Sequence, residues 1–195
     1  MRYPELGKLK DRLYFTVNDL SELLEISLES ARVLSTRYTK KGLFIRLKNN
    51  FYILEQKWDS LSRLDYLKIA NFLQVPSYIS FMTALCEYDV TTQVQRNFFE
   101  SVSLKRSKKI LSKGVIFNYY KFKKDYFFDF VKKGDSFLAT KEKAFVDAVY
   151  LCSLGRYKLD FDSIDVDKLD KKRTSEIIKK FPDKTGTIIR SICKI

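Results

Sequence analysis

An α+β fold in two parts is what this sequence predicts, and three observations carry that expectation. Apolar residues recur at helical spacing between Ser27 and Gly42, and two β-rich runs follow at once. From Phe98 to Ala139 the apolar period drops to two, as in half-buried strands. From Thr140 to Cys152 it returns to the helical value. The predicted architecture is an N-terminal unit, residues 1–58, followed by a mixed unit, residues 59–195. In the second, a small antiparallel sheet is flanked by helices.

Residues 2–11 predict a short first helix, weakened by Pro4 and Gly7. Thr16 or Asn18 then caps a helix whose Leu20, Leu23 and Leu24 share one face, and Ile26-Ser27 makes the turn out of it. Ser27 stands where an N-cap belongs and Gly42 where a helix should stop. Between them Leu28, Ala31, Leu34 and Tyr38 form an apolar stripe. The opposite face carries Ser30, Val33, Thr36, Arg37 and Lys40, with Arg32 and Lys41 on its flanks. The first helix is acidic (Asp19, Glu22, Glu25) and the second is basic. Leu43–Leu54 follows as two β-rich runs around Asn49-Asn50, and Asn tolerates the positive φ of a hairpin turn. A helix of about eight residues, a short turn, a basic helix and a basic hairpin together have the spacing of a winged helix-turn-helix.

The second helix can lie in a DNA major groove, with Ser, Thr and Arg at base edges and Arg and Lys at phosphates. Candidate DNA-binding residues are Ser30, Arg32, Val33, Thr36, Arg37, Lys40 and Lys41 on the helix. On the hairpin they are Arg46, Lys48, Asn49 and Asn50. The bland alternative is a solvated charged face on a small α/β unit.

Glu55–Ser60 reads as the junction between units, after which Ser60 caps a helix over 61–73 that Pro76 ends. Ser77–Glu87 reads as another helix. Four antiparallel strands are predicted at Phe98–Leu104, Val115–Phe122, Tyr126–Val131 and Ser136–Ala139, with turns at Lys113-Gly114 and Lys133-Gly134-Asp135. Thr140 caps a helix that Gly155 ends, and Asp162–Ile195 is helical in flavour and polar.

Charge narrows the function classes. The chain carries 37 Lys and Arg against 24 Asp and Glu, a net charge of +13. Residues 1–60 hold 11 cations against 8 acids, so most of the excess lies beyond them. A second basic patch, Lys105, Arg106, Lys108, Lys109, Lys113, Lys121, Lys123 and Lys124, contains no acid. It reads equally as a polyanion contact or as an edge strand whose lysines block aggregation. The chain has no histidine, which excludes Ser-His-Asp and Cys-His catalysis, His-ligated zinc and His general bases. Cys86, Cys152 and Cys193 are widely spaced beside apolar residues and read as buried reduced thiols. Asp160/Asp162 and Asp165/Asp167 could be paired metal carboxylates, but no Gly-Ser loop precedes them, and acidic helix starts explain them better. Lys141-Glu142-Lys143 and Asp147 read likewise as first-turn helix charges. Neither an enzyme, nor a cofactor, nor a metal is expected. With no run approaching roughly 18 apolar residues and no secretory pattern at the start, a soluble cytoplasmic protein is expected.

Pro76-Ser-Tyr-Ile-Ser-Phe-Met-Thr-Ala-Leu85, Val102-Ser-Leu-Lys-Arg106, Gly114-Val-Ile-Phe117 and Ala139-Thr-Lys-Glu-Lys-Ala-Phe-Val-Asp147, behind a winged helix, resemble the AbiEi family of abortive-infection antitoxins. The likeness spans most of residues 10–155. Phe145 stands where the family pattern has an aliphatic residue. The resemblance implies a transcriptional autorepressor that binds inverted repeats of duplex DNA in its own promoter. It further implies an antitoxin acting against a cognate nucleotidyltransferase toxin, whether by contact, modification or indirect interference. A monomer or weak dimer follows, with cooperativity on DNA left open, and no membrane partner. The competing reading is an RNA-binding module in which Tyr119, Tyr120, Tyr126, Phe127 and Phe128 stack on bases.

Overall fold

The structure is a computed structural model that describes residues 3–195. It is a mixed α+β protein with a three-stranded antiparallel sheet and a six-stranded mixed sheet. The chain divides into two compact units, Met1–Tyr66 and Leu67–Ile195, later in sequence than the Trp58–Asp59 junction.

In the first unit, α1 (Tyr3–Leu6) runs into a 3-10 turn at Gly7–Leu9, where a helix over 2–11 was expected; Arg2 lies outside the described residues. β1 (Phe15–Thr16) leads into α2 (Val17–Leu24), and Thr16 forms a reciprocal capping box with Asp19. Asp19 Oδ2 accepts from the Thr16 N–H and hydroxyl, both at 2.7 Å, and Thr16 Oγ1 accepts from the Asp19 N–H at 3.1 Å. Glu25, in the left-handed region, turns the chain into α3 (Leu28–Lys40). The Ser27 hydroxyl accepts from the Ser30 N–H at 3.2 Å, as its cap position requires. At the other end the Leu43 N–H donates to Tyr38 O at 2.9 Å and the Gly42 N–H to Thr39 O at 3.0 Å. Those two bonds are a Schellman stop, and Gly42 at φ +73° supplies the left-handed residue it needs.

β2 (Phe44–Lys48) and β3 (Phe51–Leu54) form the hairpin, with a register shift between Arg46 and Lys48, and β1 adds to the far side of β3. α4 (Glu55–Trp58) follows. The core holds Leu20, Leu24, Ala31, Tyr38, Phe44 and Tyr52, with Phe44 edge-on to Phe15 (4.9 Å between ring centres) and to Tyr38 (5.2 Å). Burying such rings is what holds a small unit together, at about 3–5 kcal/mol for truncating one. One part of the predicted stripe departs from this. Leu28, in the first turn, is 45% exposed, while Ser35 is buried with its hydroxyl bonded back to Ala31 O.

α5 (Arg63–Leu73) carries the division between units. Ser62, and not the expected Ser60, brackets its start through reciprocal bonds with Asp65. The second sheet corrects the expectation of four antiparallel strands. Its order is β6-β7-β5-β4-β9-β8, and the β5–β7 and β4–β9 pairs are parallel. Two strands had been missed. β4 (Ser77–Ile79) is a fully buried run of three residues inside what reads as one helix, and only α6 (Phe81–Glu87) is helical. β6 (Lys108–Ser112) lies inside the cationic run, where an exposed edge strand gives little apolar signal. β5 is Phe98–Ser103, β7 Val115–Lys121, β8 Phe130–Lys133 and β9 Ser136–Ala139. Tyr126 to Asp129 is a turn and an irregular stretch, so the strand predicted from Tyr126 starts four residues later.

α7 (Lys141–Ser153) begins at Thr140, whose hydroxyl accepts from the Lys143 N–H at 3.3 Å, and Gly155 at φ +69° follows its end. Phe145 is fully buried within it. α8 (Lys171–Ile178) and α9 (Asp183–Cys193) pack on α7 with Ile177, Ile178 and Ile189 buried, and Phe181 between them packs against Tyr150 of α7. Cys193 is buried, whereas Cys86 and Cys152 are half-buried; all three are free thiols. No helix among the described residues is long and apolar enough to cross a membrane.

Candidate nucleic-acid interface

Helical geometry decides what α3 shows to solvent. At about 100° per residue, Ala31, Leu34, Ser35 and Tyr38 fall on one side, and all are buried or half-buried. Ser30, Arg32, Val33, Thr36, Arg37 and Lys40 fall on the other, and all are exposed, as is Lys41 just past the end. Thr36 bonds its own helix, donating to Arg32 O at 3.0 Å, which leaves its oxygen lone pairs outward. The Arg37 guanidinium lies 5.6 Å from the centre of the Tyr38 ring, so its direction is partly fixed before any ligand arrives. Glu29 also stands on this arc and is exposed; the sequence reading had left it out. Beside the arc an open groove is floored by Leu24, Ile26, Leu34 and Tyr38, with Ser30, Val33 and Arg37 along its margin.

The hairpin is tied to the helices by its own turn. Asn50 has φ +63°, and its side-chain oxygen accepts the Val17 N–H at 3.2 Å at the start of α2. Asn49 accepts from Arg46 at 3.0 Å, and the Lys48 ammonium sits 4.8 Å from the Phe51 ring centre. Arg46, Asn49 and Asn50 are exposed and Lys48 is half-buried. Asn50 thus holds the turn in place with one of its two polar atoms, a structural duty its sequence context does not announce.

In the second unit Lys105, Arg106, Lys108, Lys109, Lys113, Lys121, Lys123 and Lys124 are all exposed. β6 is an edge strand, and the pairing of Lys108 with Tyr119 and Lys109 with Asn118 sets seven of these cations toward one end of it. Lys113 sits at the other, roughly 13 Å along the strand from Lys109 at 3.3 Å per residue. The Gln74 side-chain amide donates to Arg106 O at 2.7 Å and the Lys121 N–H to the Ser107 hydroxyl oxygen at 2.9 Å, which fixes the loop that carries them.

Of Lys141, Glu142, Lys143 and Asp147, which read as first-turn helix charges, only Lys141 is partly exposed. Glu142, Lys143 and Asp147 are all buried. The Lys143 ammonium donates to Asp147 and, at 2.8 Å, to the Tyr78 hydroxyl; Tyr78 and Ser80 donate to Asp147 Oδ2 at 3.0 and 2.8 Å. Phe122, Phe128 and Phe181 close around the ammonium, their ring centres 5.1–5.6 Å away. Burial pushes Lys143 down and Asp147 up, and each opposes the other's shift. Glu142 accepts from the Asp170 N–H at 3.1 Å, joining α7 to the start of α8. A visible signal existed: Lys143 and Asp147 are one helical turn apart in a run that is otherwise Ala, Phe and Val.

Glu100 was missed altogether. It is 1% exposed on β5, accepts from the Tyr157 hydroxyl at 2.9 Å, and burial raises its carboxyl to about 7. Of the aromatic residues proposed for stacking on bases, Tyr119 is buried with its hydroxyl on Ala70 O, and the other four are half-buried. Tyr120 packs on Phe81 and Tyr157, Tyr126 stacks on Phe181, and Phe127 packs on Tyr78. These rings build the core of the unit. Asp160 and Asp165 start 3-10 turns; Asp160 accepts from Gln93, and Asp165 pairs with Lys168 at 3.6 Å. Among the described residues no three His, Cys, Asp or Glu side chains converge as metal ligands would. Compared with known protein families, curated proteins and solved structures, the chain finds no match.

Proposed function

We propose that the first unit is a winged helix-turn-helix that binds duplex DNA, with the outward face of α3 in the major groove and the β2–β3 hairpin as the wing on a neighbouring phosphate run. One observation carries this reading: α3 turns Ala31, Leu34, Ser35 and Tyr38 inward and offers Ser30, Arg32, Thr36, Arg37 and Lys40 together to solvent, with Glu29 the one acid on that arc. Arg37 suits a guanine edge, while Lys40, Lys41, Arg46 and Lys48 suit phosphates. The Asn50–Val17 bond supports it further, because it holds the hairpin and the α2–α3 pair as one body.

The AbiEi resemblance extends this to a transcriptional autorepressor on inverted repeats of its own promoter, and to an antitoxin against a cognate nucleotidyltransferase. Tyr78, Ser80, Lys143 and Asp147, among the residues on which the resemblance rests, meet in one enclosed network. They join β4 to α7 and are sealed from substrate, so in this reading the second unit acts through its surface. The exposed cations around β6 are the part of that surface suited to a polyanion.

The test is a binding titration of the full chain with duplex DNA from upstream of its own reading frame. Preference over a scrambled duplex by tenfold or more is expected at about 150 mM salt, below the 10³-fold or greater ratio of tight regulators. Equal affinity for both duplexes would remove the sequence-specific reading.

A further inference from the structure

One side chain on the outward face of α3 is not accounted for by attraction to phosphates. Val33 is 63% exposed, and it lies at the middle of the arc. Lys40 and Arg37 are within about 40° of it around the helix axis, and Arg32 and Lys41 close the arc about 100° and 80° away. A β-branched residue at a solvent-facing helix position adds nothing to the core and is a slightly poor helix former. Its surroundings also decide what can cover it. Arg37 stands one turn after the valine, with Lys40 and Lys41 a further turn on and Arg32 at its flank, against a single acid, Glu29, one turn before it; an apolar protein surface docking there would strip these charges of water without a partner. A polyanion with an apolar spot fits instead.

The major groove of duplex DNA presents one apolar group, the C5-methyl of thymine, on a polyanionic frame. We infer that Val33 reads a thymine methyl at the centre of the α3 footprint, so that the preferred site carries an A·T pair there. The inference rests on the DNA-binding reading above. The neighbours fit the same placement: Ser30 lies one turn before Val33 and Arg37 one turn after, so flanking base pairs fall to polar side chains.

Replacing thymine by uracil deletes the methyl and leaves every hydrogen-bonding edge intact. The full chain is titrated by fluorescence anisotropy against the shortest upstream duplex it binds selectively, with each thymine in turn changed to uracil. At one position the substitution weakens the wild-type chain about fourfold, the worth of one buried methyl group. Val33→Ala binds the unsubstituted duplex more weakly and is indifferent to uracil at that position. Because Val33 is exposed, the variant folds as the parent does, and its unchanged circular dichroism and undiminished melting midpoint confirm this. Selective binding that ignores uracil everywhere, or a Val33→Ala chain with undiminished uracil sensitivity, overturns the assignment and leaves the DNA reading standing. Failure to prefer any upstream duplex overturns both.

Discussion

α3 and α7 are built to the same plan and put their charges to opposite uses. Each has 13 residues, each starts on a hydroxyl cap (Ser27, Thr140), and each is followed within two residues by a left-handed glycine (Gly42, Gly155). Both stops carry the same pair of crossing bonds, Leu43 to Tyr38 and Gly42 to Thr39 in one, Arg156 to Leu151 and Gly155 to Cys152 in the other. Yet Arg32, Arg37 and Lys40 face solvent, whereas Lys143 and Asp147 are completely enclosed. Local signals therefore say where a helix begins and ends. What a charge on it does depends on what packs around it, and α7 is covered by α6, α8 and α9.

The sharpest way to break the contrast is to remove one member of the enclosed pair. Lys143→Met should cost about 3–5 kcal/mol, because it leaves the fully buried Asp147 carboxyl without its cation. Adding Asp147→Asn should return part of the loss, since the amide oxygen still accepts from Tyr78 and Ser80. Urea denaturation followed by tryptophan-independent circular dichroism reads both values. A cost below about 1 kcal/mol for Lys143→Met, the range of an exposed pair, would mean that the pair behaves as if solvated and that the comparison is misdrawn.

A second enclosed carboxyl gives a pH signature. The Glu100 carboxyl titrates near 7 in the folded chain against an ordinary 4.5, through burial, offset in part by bonds from Tyr157, Met82 and Gln95. The folded state thus holds this proton more tightly than the unfolded one. Its contribution is full below pH 4.5, is lost as pH rises through 7, and is level above that. The loss amounts to about 3 kcal/mol. Glu100→Gln should flatten this part of the stability profile between pH 5 and 8. An unchanged slope in the variant would assign the dependence to another group.

The smallest effects test the shared plan itself. Ser27→Ala and Thr140→Ala each remove a cap bond together with one side-chain bond that the same hydroxyl donates, to Ser30 and to Asp129 respectively, and should each cost about 1–2 kcal/mol. Similar losses in the two helices are expected from thermal or urea melts, since the caps do the same job in both units. A negligible loss at Thr140 would instead show that packing around α7 makes its cap redundant.

How much of this could be read from the residues follows the same division. α2, α3 and the hairpin were legible because caps, apolar stripe, stop glycine and turn asparagines all lie within a few residues of one another. β4 was not, because three buried residues carry no period and pair with strands over twenty and nearly sixty residues away. β6 was hidden by its lysines, which an edge strand tolerates and a buried one does not. The candidate interface on α3, Glu29 included, was legible from helical spacing, but the fixing of the hairpin by Asn50 needed the fold. The burial of Lys143, Asp147 and Glu100 depends on Tyr78, Phe181 and Tyr157 arriving from elsewhere in the chain, which no local window contains.

The claim on which the account turns is that the exposed face of α3 meets base edges while the cations around β6 meet at most the phosphate backbone. Paired titrations of Arg37→Ala and Lys109→Ala against the upstream duplex and a scrambled one test it directly. Arg37→Ala should lose about 5- to 150-fold on the upstream duplex and little on the scrambled one, the range of one bidentate base contact. Lys109→Ala should weaken both equally and lower the salt slope by about one. Equal losses on both duplexes from Arg37→Ala, or none, would contradict the assignment of α3 as the helix that reads sequence.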